Sequence, residues 1–256
     1  VIIDAGIHDA KGNTAHLNIR GNPCYTGLKQ DRVTMQSAAG TTVNSAYYGE
    51  GNMIDEFMEA AVEVFGESIL LQFEDFNSND AFPLLARQRT KFLAYNDDIQ
   101  GTAAVAVAGI LGAIKIKNPS EEDLIGKLAE ETVLLHGAGS ANLGAASLLH
   151  NEGKLGKDRI MMTNSRGLIW KNDAGQGSFR NDEQKEFAVS PEPAFDHKDL
   201  LDVVANTKPT CLVGAVGVAP GCFTKEIVEK MVENHDPEKG SARPVVFALS
   251  NPKSQA

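Results

Sequence analysis

TVLLHGAGSANLGAASLLH, residues 132–150, carries the decision about the fold, because an apolar strand, a glycine turn and a helix follow one another within it. Val133 to Leu135 is continuously apolar, and the run Gly137, Ala138, Gly139, Ser140, Ala141, Asn142, Leu143, Gly144 comes directly after it. That strand-turn-helix context separates a dinucleotide loop from a chance run of glycines. Gly137 reads as the tight turn, and Gly139 as the place where backbone approaches a pyrophosphate seated on the helix N-terminus. The third glycine is displaced, giving GxGxxxxG where the usual fingerprint is GxGxxG, so a turn that only serves packing stays open as a second reading. The expected cofactor contacts in this run are Gly137, Ala138, Gly139, Ser140, Ala141 and Gly144.

Downstream, RIMMTNSRGLIW (Arg159 to Trp170) reads strand, turn, strand. A helix near Leu200, the strand CLVGAV, a helix over Thr224 to Val232 and the strand PVVFALS follow. Strands alternating with helical patterns predict an α/β fold with a mostly parallel sheet covered on both faces. A dinucleotide fold places a ribose-reading acid at the end of its second strand. Asn164 stands there instead, followed by Ser165 and Arg166. An amide lacks the charge that repels a 2′-phosphate, and a hydroxyl and a cation next to it tilt the reading toward NADP. Arg166 as a solvated turn residue is the alternative.

Upstream, Ile54, Phe57, Met58, Ala61, Val62 and Phe65 recur at helical spacing, with Asp55, Glu56, Glu59 and Glu63 opposite. Ser37 to Asn52 reads as a loop, Ile69 to Phe73 as a strand, Asn77 to Gln88 as a short helix and Lys91 to Tyr95 as a second strand. Gly101 to Lys115 reads as a helix apolar on most sides and therefore buried. Asn118 to Lys127 reads as a polar connector. Two acidic pairs, Glu74-Asp75 and Asp97-Asp98, follow the two strands. Carboxylates gathered at strand ends repel one another unless a hard cation such as Mg²⁺ or Mn²⁺ joins them. Solvated acids at strand ends are the bland alternative. Adjacent strand residues point to opposite faces, so Glu74 and Asp75 converge only where the strand has already broken.

The chain has 256 residues, 34 acids against 24 bases and a formal charge of −10, which makes it a poor holder of nucleic acid. Three cysteines, Cys24, Cys211 and Cys222, form no CxxC unit and predict neither a disulfide framework nor a zinc knuckle. The most apolar run, Thr102 to Ile114, is too short to span hydrocarbon, so no membrane partner is expected. The sequence opens on VIIDAG without a methionine and stops at ALSNPKSQA, which predicts a fragment of a longer protein, and the cysteines without a disulfide framework predict a reducing compartment, cytoplasmic or organellar.

QFEDF (Gln72 to Phe76), YNDDIQGTAAVAVAGILGA (Tyr95 to Ala113), HGAGSANLG, SRGLI (Ser165 to Ile169) and FALSNP (Phe247 to Pro252) together resemble the malic enzymes. The opening IDAG and NPCYTGL (Asn22 to Leu28) are similar to the same family. The resemblance implies oxidation of L-malate with reduction of NAD or NADP, followed by decarboxylation to pyruvate, and requires Mg²⁺ or Mn²⁺. It implies Glu74, Asp75 and Asp98 as metal ligands and Asp97 as a neighbour that positions a catalytic lysine. Asn251 is implied to bond substrate near the nicotinamide, with Val216 and Gly217 of the GAVGVAPG turn along the cofactor. It also implies part of a metal- and malate-binding α/β region over residues 1–98 and a Rossmann-like NAD(P) domain, truncated on its C-terminal side, over 99–256.

Ser165 and Arg166 resemble NADP-preferring members, whereas Gln184 resembles NAD-preferring ones, so the cofactor expectation is divided with a lean to NADP. The stretch Asn172 to Phe179 exceeds the family's usual length and reads as a surface excursion. The family's lysine base and tyrosine acid have no counterpart here, which predicts little turnover from this stretch alone. A homodimer or homotetramer in the cytoplasm, a mitochondrion or a plastid is the family expectation. Two rivals remain: a metal-independent nicotinamide-linked dehydrogenase, which leaves the paired acids unexplained, and a non-catalytic regulatory or packing domain.

Overall fold

The computed structural model describes residues 33–36, 42–45, 53–76, 78–216, 221–235 and 243–250. Two short strands, β1 (Val33–Gln36) and β2 (Thr42–Ser45), pair antiparallel. β2 corrects the expectation of a continuous loop over Ser37 to Asn52: TVNS is too polar to announce a strand, yet its backbone groups find partners in β1.

Helix α1 (Met53–Phe65) buries Ile54, Met58 and Ala61, as the spacing predicts. Phe65, expected on that face, is 62% exposed. The helix ends at Gly66, whose N–H bonds the Val62 carbonyl at 2.8 Å. Strand β3 (Leu71–Phe73) turns Leu71 and Phe73 inward onto α1 and leaves Gln72 outside. Helix α2 (Ser78–Gln88) then leads to β4 (Ala94–Asn96), which pairs parallel with β3, Phe73 opposite Asn96. β4 starts later than the expected Lys91, because the N–H groups of Lys91 and Phe92 cap the end of α2 on the Gln88 carbonyl.

A π turn (Asp97–Gly101) runs directly into helix α3 (Thr102–Lys117). The combined helix spans 21 residues, long and apolar enough by length and composition to cross a membrane. That length revises the reading of the apolar run as too short. Ile110 and Ile114 are nonetheless fully buried against the sheet described next. The expectation of an all-round buried helix is corrected too, since Val105 is 70% and Ile116 81% exposed. An apolar face is buried only where a neighbour exists to cover it. The short helix α4 (Leu124–Leu128) replaces part of the expected connector, with Asp123 capping it through Gly126 N–H at 2.8 Å.

The main sheet holds β5 (Val133–His136), β6 (Ile160–Asn164), β7 (Gly167–Leu168), β8 (Cys211–Gly214) and β9 (Val245–Ala248) in the order β7-β6-β5-β8-β9. All neighbours are parallel except the β6–β7 edge pair. Side chains alternate as a strand requires. Val133, Leu135, Ile160, Met162, Cys211 and Val213 pack toward α3 and helix α5 (Ser140–Asn151). Leu134, Met161 and Leu212 pack toward α7 (Leu200–Thr207) and α8 (Lys225–Glu233) on the other face. The small helix α6 (Asp182–Glu186) lies between β7 and α7 in the chain. β5 has β6 on one side and β8 on the other, so the crevice beyond their carboxyl ends is the sheet's switch point.

Candidate active site

Gly137 leaves β5 with φ +95°, and a Cβ there would stand 2.6 Å from the Ala215 carbonyl oxygen. Only glycine fits, because the turn is left-handed and the loop after β8 lies against it. Gly139 precedes the first turn of α5 with open space before it, and no side chain caps that helix. Its free N–H groups and positive dipole end suit an anionic pyrophosphate. Asn142, which sequence reasoning passed over, stiffens the turn by donating to the carbonyls of His136 at 2.9 Å and Gly137 at 2.7 Å. Its position inside the glycine run was the available signal. Gly144 lies inside α5, one turn past the loop itself. A Cβ there would lie 1.9 Å from the carbonyl oxygen of Ile99 in the π turn. The displaced third glycine is thus a point of close helix-to-turn packing.

Ala138 is tied through its carbonyl to Gln184 Nε2 at 2.9 Å, Ser140 Oγ meets Ser78 Oγ of α2 at 3.1 Å, and Ala141 is half-buried. Val216 lies against Gly137, and its N–H donates to Ser250 Oγ at 2.9 Å. Gly217 and Asn251 fall outside the described residues.

At the end of β6, Asn164 has little capacity left for a ribose. Its Nδ2 donates to the Ser178 carbonyl at 2.9 Å and to Gln184 Oε1 at 3.0 Å, while its Oδ1 accepts from Arg166 N–H at 2.7 Å. Gln184 is buried and also accepts from Arg180 N–H at 3.0 Å. Ser165 and Arg166 are exposed, and the Arg180 guanidinium donates to Ser165 Oγ. The stretch Asn172 to Phe179 is only partly the surface excursion expected. Its tip is exposed, but Ser178 is buried and bonds the Leu168 carbonyl, which carries the returning chain and Arg180 back beside Ser165. Spacing alone could not reveal where that loop returns.

The acids sit at the ends of β3 and β4. β3 stops at Phe73, and Asp75 adopts φ +59°, so the strand has broken and neighbouring side chains are free to converge. Asp75 N–H donates to Asp98 Oδ2 at 2.7 Å. One carboxylate oxygen each from Glu74, Asp75 and Asp98 lies within 4.8 Å of the others. Glu74 is steadied by Gln72 Nε2, and Gln72 Oε1 in turn accepts from the Tyr95 hydroxyl at 2.6 Å. Asp98 projects from the π turn, whose start is capped by Asn96 Oδ1 accepting Ile99 N–H at 2.9 Å. Asp97 stands apart, its carboxylate lying over Gly101.

Partial burial, together with the Asp98, Asp97 and Asp75 charges, raises the Glu74 carboxyl above its ordinary pKa despite the Gln72 hydrogen bond. Burial, then Asp75 and Asp97, raises Asp98 likewise, opposed by the Asp75 N–H. Three hard oxygen donors that repel one another at this separation form a donor set suited to Mg²⁺ or Mn²⁺. The two sites adjoin: the turn bearing Asp98 packs on the helix that begins at the glycine loop.

A parallel sheet with a glycine turn at its switch point defines the class of Rossmann-like dinucleotide-fold proteins. Within that class the chain belongs to the malic enzyme family. The family model for the malic enzyme NAD binding domain matches residues 99–256, and that for the malic enzyme N-terminal domain matches residues 7–89. The NADP-dependent malic enzyme of Anas platyrhynchos is 40% identical over 243 residues, which are 92% of this chain and 38% of that protein. The Homo sapiens NADP-dependent malic enzyme is 38% identical over 265 residues, covering 100% of this chain and 39% of its own length. The chain thus spans under two-fifths of these curated relatives. Among solved structures, an NAD-dependent malic enzyme from Thermotoga maritima superposes with a TM-score of 0.58 at 21% identity, over 81% of this chain and 49% of that one. The Entamoeba histolytica malic enzyme gives 0.57 at 21% identity, over 78% and 38%. These two likenesses speak to the fold.

Proposed function

We propose that the full-length protein oxidises L-malate to oxaloacetate with reduction of NAD(P)⁺ and decarboxylates the product to pyruvate and CO₂. The observation that carries this reading is the meeting of Glu74, Asp75 and Asp98 within 4.8 Å beside the dinucleotide helix. These three side chains would hold Mg²⁺ or Mn²⁺. When bound, such an ion supplies Lewis-acid stabilisation of the negative charge that develops on malate's C2 oxygen and in the enolate. Residues 1–98 would contribute the metal- and malate-binding region and residues 99–256 the NAD(P) domain. Gly137, Gly139 and the first turn of α5 would seat the pyrophosphate, with Val216 and Gly217 along the cofactor and Asn251 on the substrate. Asp97, held apart from the trio, keeps its proposed role of orienting a lysine.

NADP⁺ is the proposed acceptor. Asn164 carries no charge to repel a 2′-phosphate, Arg166 and Arg180 flank Ser165, and the relatives above named for a cofactor by sequence are NADP-dependent. Gln184, spent on internal hydrogen bonds, contributes no cation to that subsite. A homo-oligomer, housed in the cytoplasm or an organelle, completes the proposal; two relatives are named as mitochondrial.

The test is a steady-state assay of the full-length protein with malate, Mn²⁺ and each dinucleotide. Malate-dependent reduction that favours NADP⁺ and stops on chelation is expected. Turnover that survives exhaustive chelation would overturn the metal role, and a kcat/KM favouring NAD⁺ would overturn the cofactor preference.

A further inference from the structure

We propose that Gly144 is a positioning residue through which the dinucleotide helix holds Asp98 in place. The inference rests on the metal-binding reading above and adds a residue to it. Gly144 is buried in the middle of α5, and its Cα faces the Ile99 backbone so closely that a Cβ would stand 1.9 Å from Ile99 O and 2.8 Å from Ile99 C. Ile99 is the residue after Asp98 in the π turn and is itself buried. No side chain can rotate away to relieve a clash with backbone, so either the helix or the turn must move.

The helix is the firmer of the two. Leu143, Ala146 and Leu149 are buried in the main core, and Asn142 ties its first turn to the carbonyls after β5. The turn is held by a smaller apolar contact, Ile99 packed with Ala81 and Leu85, by its continuation into α3, and by three hydrogen bonds: the Asn96 cap on Ile99 N–H at 2.9 Å, the Gln100 side chain on Asn96 N–H at 3.0 Å, and the Asp75 N–H on Asp98 at 2.7 Å. A methyl at position 144 therefore displaces the turn, and with it the Asp98 carboxylate, while the glycine loop five residues earlier keeps its shape. Asn96 grips the same turn from the β4 side, so removing its cap should loosen Asp98 without adding an atom.

The experiment compares wild type, Gly144→Ala, Asn96→Ala and Asn96→Ser in the full-length protein. It measures Mn²⁺ affinity by electron paramagnetic resonance and NADP⁺ affinity by fluorescence titration. Gly144→Ala and Asn96→Ala are expected to weaken Mn²⁺ binding about tenfold or more, the range seen when groups that orient metal ligands are removed. NADP⁺ affinity should be unchanged in both. Asn96→Ser, whose hydroxyl can cap Ile99 again, should recover most of the Mn²⁺ affinity. Variants that bind Mn²⁺ as tightly as wild type, or that lose both ligands in parallel, would overturn the positioning role. Failure of the wild type to bind Mn²⁺ would instead overturn the functional reading itself. Should Gly144→Ala not fold, the Asn96 pair still decides.

Discussion

Asp98 shows how much one side chain can be asked to do. It accepts the Asp75 N–H, faces two other carboxylates and stands above its ordinary pKa because it is partly buried among them. Without a cation, its charge is a cost to the fold. Asp98→Asn is expected to stabilise the metal-free protein, seen as a higher thermal midpoint, while lowering Mn²⁺ affinity by roughly tenfold or more in calorimetric titration. Gly137 is the opposite case, a residue chosen for what it lacks. Gly137→Ala forces a methyl against Ala215 O at φ +95° and should cost about 1–3 kcal/mol in urea unfolding from backbone strain alone. Dinucleotide binding should fall with it.

At the scale of elements, the end of β5 carries a titratable group where the glycine turn starts. His136 is half-buried, its Nδ1 is 2.8 Å from Thr163 Oγ1, and burial pushes its pKa below the ordinary histidine value. A histidine depressed in this way stabilises the fold above its unfolded pKa of about 6.5, and that contribution is lost as pH falls toward the folded value. Thermal midpoints should therefore decline as pH drops below the ordinary histidine range, and less steeply in His136→Gln. Helix α6 is joined to the turn through Gln184, which bonds Ala138 O, Asn164 and Arg180 N–H. Gln184→Ala leaves those part-buried groups short of partners and should cost roughly 1–3 kcal/mol in chemical denaturation. Strands β5, β6 and β8 and helix α5 are legible in the sequence because their apolar runs are bounded by glycine or polar turns. β2 is not, since Thr42–Ser45 has no apolar period and forms by pairing with β1. The exposed face of α3 is equally invisible, because apolarity says nothing about which side has a neighbour.

For the whole molecule, the decisive feature is that a small parallel pair, β3–β4, and the five-stranded sheet meet through the π turn, α3 and α5. Ligand binding on one side of this junction should stabilise the molecule as a unit. Mn²⁺ at about a hundredfold its dissociation constant should add about 2.7 kcal/mol, measurable as a shift in the denaturant midpoint and falling to about 1.4 kcal/mol or less in Asp98→Asn. Residue type and order single out the acids, and a broken strand is the condition under which Glu74 and Asp75 converge. The meeting with Asp98 depends on parallel pairing that brings the ends of two strands together. Gly144 and Arg180 are illegible for the same reason: their partners, Ile99 and Ser165, lie across a packing contact or a loop closure that no local spacing encodes.

The left-handed backbone of Asp75 has an evolutionary consequence. Asparagine and glycine both accept that conformation, and either is one nucleotide change away from aspartate. The peptide N–H that holds Asp98 would survive such a change, while one of the three charges would vanish. A duplicated copy of the gene could thus drift into a silent relative with its architecture intact, and position 75 is where that descent would meet the least resistance.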